Sequence, residues 1–418
     1  RDVAPSRGLG DVYKRQIVRA RRMKPVHSDI RGPLFVEAMK RQKQGIDILK
    51  LNTGNPATFG FGLPDSIKNA LIEHMQDGVG YCDFKGMPQA RQAICDYETS
   101  KGIKGITPDD VFIGNGVSEV VSFALTPLLN DGDEVLVPSP SYSLWGNSVY
   151  LEDGKPVFYT CDEQANWYPD IQDIRSKITD KTKAIVIINP NNPTGVLYPK
   201  ELLLEIIQIA RESGLLIFAD EIYDRLVMDG KQHISLASLT EDVPVITLNG
   251  LSKSHCLCGY RCGWMVISGP RELTEDYRQG IIQLTSLRLC ANTMAQIVIP
   301  AALDDMETPA SMVRPGGRIY EQREATVREL EKIDGLSFVK NDAAFYVFPK
   351  LDVKKFNITN DKQFAHDLLD VTNILLVPGS GFDWKNPDHF RIVMLPQADI
   401  LSDAIRRMGT FLDGYKQK

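Results

Sequence analysis

The chain has no apolar stretch approaching the roughly 20 residues that a membrane-spanning helix needs, and its N-terminus has no apolar core of a secretory signal. It has no excess of basic residues: 48 Lys and Arg face 54 Asp and Glu, for a formal charge of −6. That balance argues against a nucleic-acid partner and against an anionic membrane surface. Cysteine is sparse, and its seven copies form an odd, scattered set. A disulfide framework is therefore not expected, and free thiols in a reducing compartment, the cytoplasm, are. There is no internal repeat, low-complexity tract or long linker. What remains is 418 residues, 43% hydrophobic and 24% charged, enough for two or more units with a large core.

Residues 1–22 show no period, carry an Arg-rich patch, and read as a non-native or disordered leader, with the native chain expected to begin near Met23. Helical patterns cover 33–43, 64–75 and 200–213, and a Gly-rich loop at 78–86 leads into an amphipathic helix. From about 110 to 268, short apolar runs alternate with helical ones. Strands are expected at 111–113, 134–137, 184–188, 215–219, 245–248 and 264–267. This alternation predicts an α/β fold with a mostly parallel sheet sandwiched by helices. A smaller α+β unit follows, with a helix at 318–333 and strands at 338–350, 374–378 and 389–394. The expected division is 23–62 joining the small unit, 63–308 as the large domain and 309–418 as the small C-terminal domain.

Three successive strands end in chemistry-bearing residues. The strand at 184–188 runs into NPNNPTG, with Asn192; the next ends in DEIY, with Asp220 and Tyr223; the third enters GLSKSHCLCGYRCGW, with Lys253 and Arg261. Residues beyond the C-terminal ends of strands line the ligand crevice of an open α/β sheet. Together they offer a nucleophilic amine, an acid for a ring nitrogen, two groups for a phenolic oxygen and a cation for a phosphate. Those are the needs of pyridoxal 5′-phosphate.

With these motifs in place, the sequence resembles the class I/II aminotransferases of fold type I, pyridoxal-phosphate enzymes that work as homodimers. It is most similar to their bacterial glutamate–pyruvate (alanine) members, through DIRGP (29–33), KLNTGNPATFGF (50–61), NGLSKS (249–254), SLRLCAN (286–292) and RPGGRIYEQR (314–323). The resemblance implies a seven-stranded sheet in the large domain, with N- and C-terminal segments building the small one. It implies a Lys253 Schiff base, with the same lysine moving the proton. Asp220 would hold the ring nitrogen protonated, Tyr223 and Asn192 would contact the ring oxygen, and Tyr142 would stack on the ring. The N–H groups of Val117 and Ser118, the Ser118 hydroxyl, Ser252 and Arg261 would cup the phosphate. Tyr81 would reach the phosphate across the dimer. Arg391 would grip the substrate carboxylate, and the Gly54 backbone would close over the substrate.

The pattern departs from the wider family at Gly250, where a phosphate-binding serine is common, at Cys256 and Cys262, and at Ala343. His255 and Cys258 add to the cysteines, but their spacing is not that of paired metal ligands, and no metal is expected. The expected activity is ping-pong amino-group transfer between alanine/pyruvate and glutamate/2-oxoglutarate. A C–S β-lyase, an aminotransferase for aromatic or branched amino acids, and a cofactor-sensing regulator are the alternatives. Arg288, in SLRLCAN, is either a ligand for the distal carboxylate of glutamate or a structural residue.

Overall fold

The computed structural model describes residues 17–418. Most of the expected leader lies outside the described residues; its end, Arg21–Met23, is a short turn that buries nothing. No single helix among the described residues is long and apolar enough to cross a membrane.

The large sheet contains β1 (Val111–Gly114), β2 (Glu134–Ser139), β3 (Lys155–Asp162), β4 (Tyr168–Pro169), β5 (Thr182–Ile188), β6 (Leu216–Asp220), β7 (Val245–Gly250) and β8 (Gly263–Ser268). Their order is β1-β8-β7-β6-β5-β2-β3-β4. The links among β3, β2, β5, β6 and β7 are parallel, and β8 runs antiparallel to both β7 and β1. Every residue of β1, β2, β6, β7 and β8 is buried, as expected of a sheet covered on both faces. The helix α1 (Pro33–Lys43) packs instead against C-terminal residues such as Leu369 and Leu375. The covering helices include α2 (Pro88–Ser100), α3 (Val117–Leu125), α4 (Leu144–Leu151), α5 (Lys200–Ser213) and α6 (Arg271–Arg288). On α5, the positions Leu202, Leu203, Ile206, Ile207, Ile209 and Ala210 form the buried stripe.

The sheet has eight strands where seven were expected. The eighth, β4, is a two-residue strand pairing antiparallel with the end of β3. The sequence reading also passed over β3, whose Pro156 and alternating exposure argue against a central strand.

The C-terminal part carries α7 (Arg318–Leu330), α8 (Asp361–Thr372) and α9 (Ala398–Leu412). The expected strand at 338–350 is broken into the short pieces Leu336–Ser337, Tyr346–Val347 and Lys350–Leu351. Leu49–Lys50 pairs in parallel with Ile374–Leu375, and Phe390–Val393 lies between Tyr346–Val347 and Val377–Pro378. Leu51 is buried with Leu330, Phe364, Phe390, Ile392 and Met408 in one hydrophobic cluster, so the N-terminal segment packs with C-terminal elements.

Candidate active site

The adjacent strands β5, β6 and β7 end side by side, with Ile188 paired to Asp220 and Asp220 to Leu248. Just past these ends lie Asn192, Asp220 with Tyr223, and Lys253. Phe390–Val393 brings Arg391 to the same place: its Nη1 donates to Asn192 Oδ1 at 2.9 Å and its Nη2 to the Asn52 carbonyl. The guanidinium carbon sits 4.6 Å from the Tyr346 ring centre and 4.7 Å from that of Phe382. Arg391 is 1% exposed, and its Nε has no protein partner. A cation buried with spare donors is arranged to receive an anion.

Lys253 Nζ donates to the Gly54 carbonyl at 2.9 Å, so the loop at 52–55 closes over both the lysine and the arginine. Gly54 is required there by sterics: an added Cβ would lie 2.3 Å from the Tyr346 hydroxyl oxygen and 2.9 Å from the Phe345 ring. The Tyr346 hydroxyl in turn lies 2.9 Å from that of Tyr223. Burial pulls the Lys253 ammonium down, but Tyr346, Cys258 and Tyr142 outweigh it and leave the pKa raised. Tyr142 acts in the same sense on Arg391, which places it facing both cations.

Asp220 is 4% exposed and accepts the Trp145 indole N–H at 3.0 Å on Oδ2. Burial pushes its carboxyl up to about 6, with the Trp145 hydrogen bond pulling the other way. Trp145 is donor-only and fully buried, so it fixes Oδ2. Oδ1 accepts the Ile222 N–H in a long contact of 3.4 Å and keeps a second lone pair for another donor.

The start of α3 forms a distinct cradle. Gly116 has φ +86° and stands so close to the Arg261 guanidinium that a Cβ would lie 2.3 Å from Nη2; a Cβ on Gly263 would lie 2.4 Å from the Val117 nitrogen. These glycines bring Arg261, the first N–H groups of α3 with Val117 and Ser118, and the start of β8 against one another. A helix N-terminus beside an arginine is an anion site. Ser252 immediately precedes Lys253, and its carbonyl accepts the Cys258 thiol at 2.9 Å. Gly250 is explained here as well, because a Cβ would lie 2.5 Å from the Cys262 carbonyl oxygen, which leaves no room for serine.

Tyr81 stands apart from this assembly within its own chain, 84% exposed. Arg288 pairs with Glu119 at 2.5 Å and donates to the carbonyls of Phe84 and Ile113 at 3.2 Å each. Its Nη1 and Nη2 thus join the start of α3 to β1 and the 78–86 loop, while its Nε has no protein partner. The cysteines near Lys253 point apart: Cys256 faces Met312, and Cys262 is packed into the core. Trp145, Tyr346 and Asn52 were not anticipated. The only sequence signal was that Trp145 falls three residues after Tyr142, one helical turn on.

The model for the class I and II aminotransferases matches residues 46–405. The chain is 51% identical to the glutamate-pyruvate aminotransferase AlaA of Haemophilus influenzae over 389 residues, 93% of this chain and 96% of that protein. Among solved structures, an aminotransferase from Escherichia coli superposes with TM-score 0.95 at 47% identity, covering 96% of this chain and 100% of that one. The alanine aminotransferase from Pyrococcus furiosus does so with TM-score 0.90 at 41% identity, covering 94% and 99%.

Proposed function

The chain belongs to the class I and II aminotransferase family, and we propose that it moves an amino group between the alanine/pyruvate and glutamate/2-oxoglutarate pairs with pyridoxal 5′-phosphate as its cofactor. The activity named for the Haemophilus relative supports that substrate pair. The observation that carries the reading is the convergence of Lys253, Asn192, Asp220 and Arg391 at three neighbouring strand ends. The residues fit the cofactor: Asp220 offers a buried carboxylate, the glycine-lined cradle at α3 suits a phosphate, and the unpartnered Arg391 Nε suits a carboxylate.

When bound, pyridoxal phosphate supplies an electron sink that acidifies the amino acid Cα–H and stores the amino group between the two half-reactions. Arg391 binds the substrate α-carboxylate through its planar fork, and the Gly54 backbone orients the amino acid beside it. Lys253 would move the proton between the substrate Cα and C4′ of the cofactor, as a positioned base and acid. Asp220 would present a fixed negative charge to a protonated ring nitrogen, while Tyr223 and Asn192 would donate to a ring oxygen. Tyr142 would stack on one face of the ring. Val117, Ser118, Ser252 and Arg261 would hold the phosphate.

The assembly we propose is a homodimer. Met75, Val79, Tyr81, Leu287 and Leu289 are each at least 49% exposed, and Gly78 and Thr293 join their two segments by a 2.6 Å hydrogen bond. A patch of this kind suits a second copy of the chain and would send Tyr81 toward the neighbouring phosphate. We assign residues 63–308 to the cofactor-binding domain, and 23–62 with 309–418 to the smaller one, in keeping with the shared hydrophobic cluster around Leu51. Alanine-dependent formation of glutamate from 2-oxoglutarate is the direct assay. Pyruvate released from cystathionine, with no transfer from alanine, would overturn the reading in favour of a β-lyase.

A further inference from the structure

One buried ion cluster takes no part in the proposed chemistry yet includes the neighbours of Asp220 and Tyr223 and bonds to the turn before Lys253. Lys101 caps the C-terminus of α2. Its Nζ lies 2.5 Å from Glu98 Oε2, 2.9 Å from Glu221 Oε2 and 3.3 Å from Asp224 Oδ2. The three acids are 0%, 1% and 8% exposed. Glu221, Asp224 and His233 also hold their ligand atoms within 4.8 Å of one another, the spacing of a cation site, but the Lys101 ammonium already supplies the positive charge. Burial pulls this ammonium down; Glu221, Glu98 and Asp224 outweigh it and hold its pKa well above the usual value. It stays charged at any working pH.

The remaining bonds of Glu98 and Asp224 reach β8 and β7, and those of Glu221 reach the segment after β6. Glu98 accepts the indole N–H of Trp264, on β8, at 3.1 Å. Glu221 directly follows Asp220; it accepts from the Ser235 hydroxyl at 2.9 Å and the Leu236 N–H at 3.0 Å. Its Oε2 lies 4.0 Å from His233 Nε2, which is 3.1 Å from the carbonyl of Asn189, at the entry to the Asn192 loop. Asp224 directly follows Tyr223; it accepts the Tyr97 hydroxyl at 2.5 Å and the Asn249 amide at 2.7 Å. The Asn249 side-chain oxygen accepts the Gly250 N–H at 2.7 Å, at the turn into Lys253.

We propose that Lys101 is a positioning residue for transamination: its one ammonium ties the loops after β5, β6 and β7 to α2, so that Asn192, Asp220 with Tyr223, and Lys253 keep one register. This rests on the site assignment above. Removing the cation strands three buried carboxylates, which separate or draw in water and protons, and the loops they anchor move apart. Glu98, which burial pushes up to about 7, is the first of the three to take up a proton.

The test is Lys101→Met in the full chain, read by hydrogen exchange and by absorbance titration of the cofactor-stripped protein with pyridoxal phosphate. Exchange should quicken together in peptides covering 189–194, 220–224 and 249–254. The pyridoxal phosphate Kd should rise about tenfold or more, with Lys101→Arg recovering to within about threefold of the parent. Faster exchange confined to α2, with an unchanged Kd, overturns the proposal. If Lys101→Met does not fold, Asn249→Ala keeps the ammonium and all three acids but cuts the link to the Lys253 loop. It should quicken exchange at 249–254 and weaken cofactor binding, and a variant unchanged in both overturns the tether. Lys253→Ala, run in parallel, separates the two claims. An active Lys253→Ala defeats the site assignment, whereas an inactive one beside a normal Lys101→Met defeats only the tether.

Discussion

Replacing Asp220 by asparagine should make the cofactor-stripped protein more stable and the enzyme inactive. In the fold its carboxyl titrates at about 6 against an ordinary value of 3.8. That difference of about 2 units corresponds to about 3 kcal/mol at ~1.36 kcal/mol per unit. Because the folded value is the higher one, the fold binds the proton more tightly. The stability this group contributes is complete below pH 3.8 and is lost as the pH rises through about 6. At pH 7 the buried charge therefore costs the stripped protein up to about 3 kcal/mol. Asparagine removes that cost, and its side-chain oxygen still accepts the Trp145 indole N–H. Calorimetry from pH 4 to 8 should show stripped Asp220→Asn melting above the stripped parent at pH 7, the two converging toward pH 4. The half-reaction with alanine, followed by stopped-flow absorbance, should slow about 100-fold or more, since a neutral amide cannot hold a ring proton. Equal melting at pH 7 would refute the buried-charge reasoning, and an undiminished half-reaction would refute the assignment of Asp220.

Arg391→Lys should lower kcat/KM for alanine and glutamate together by about 100-fold, the equivalent of about 3 kcal/mol, because one of two charge-assisted bonds to a shared carboxylate is lost. A loss with only one donor contradicts it. Gly54→Ala places a Cβ 2.3 Å from the Tyr346 hydroxyl; overpacking of about 1–3 kcal/mol should appear as a KM for the amino donor raised about tenfold or more, and a parental KM would mean that the loop yields freely. Arg288→Ala should lower the melting temperature through loss of the Glu119 pair, while the ratio of kcat/KM for glutamate over alanine stays constant. A drop in that ratio would return Arg288 to the substrate site.

The fold was most legible where local pattern and burial agree. The stripe on α5 predicts Lys200–Ser213, and the six apolar runs fall on β1, β2, β5, β6, β7 and β8. β3 escaped because a proline and half-exposed side chains give it neither a continuous run nor clean alternation. Asn192, Asp220 with Tyr223, and Lys253 could be named because each closes or follows a strand whose end is marked by Asn, Asp or Gly. Arg391, Gly54, Tyr142 and the phosphate cup were named instead through the family resemblance. The site's supporting groups could not be named. Trp145 reaches Asp220 across 75 residues of sequence, and Tyr346 reaches Tyr223 across 123, and no short-range period encodes either. The Lys101 cluster was equally hidden, because Glu98 and Lys101 at the end of a helix read as an ordinary surface pair until the fold buries them under two further acids. Gly250, a departure from the family pattern in sequence, is accounted for once the Cys262 carbonyl is seen beside it.

Lys253 as the covalent anchor of the cofactor can be checked most directly by borohydride reduction of the holoenzyme followed by peptide mass spectrometry. A pyridoxyl-phosphate adduct is expected on the peptide spanning 250–261, placed on Lys253 and absent after prior exposure to excess alanine. An adduct on another lysine, or none on a visibly loaded enzyme, would contradict that assignment.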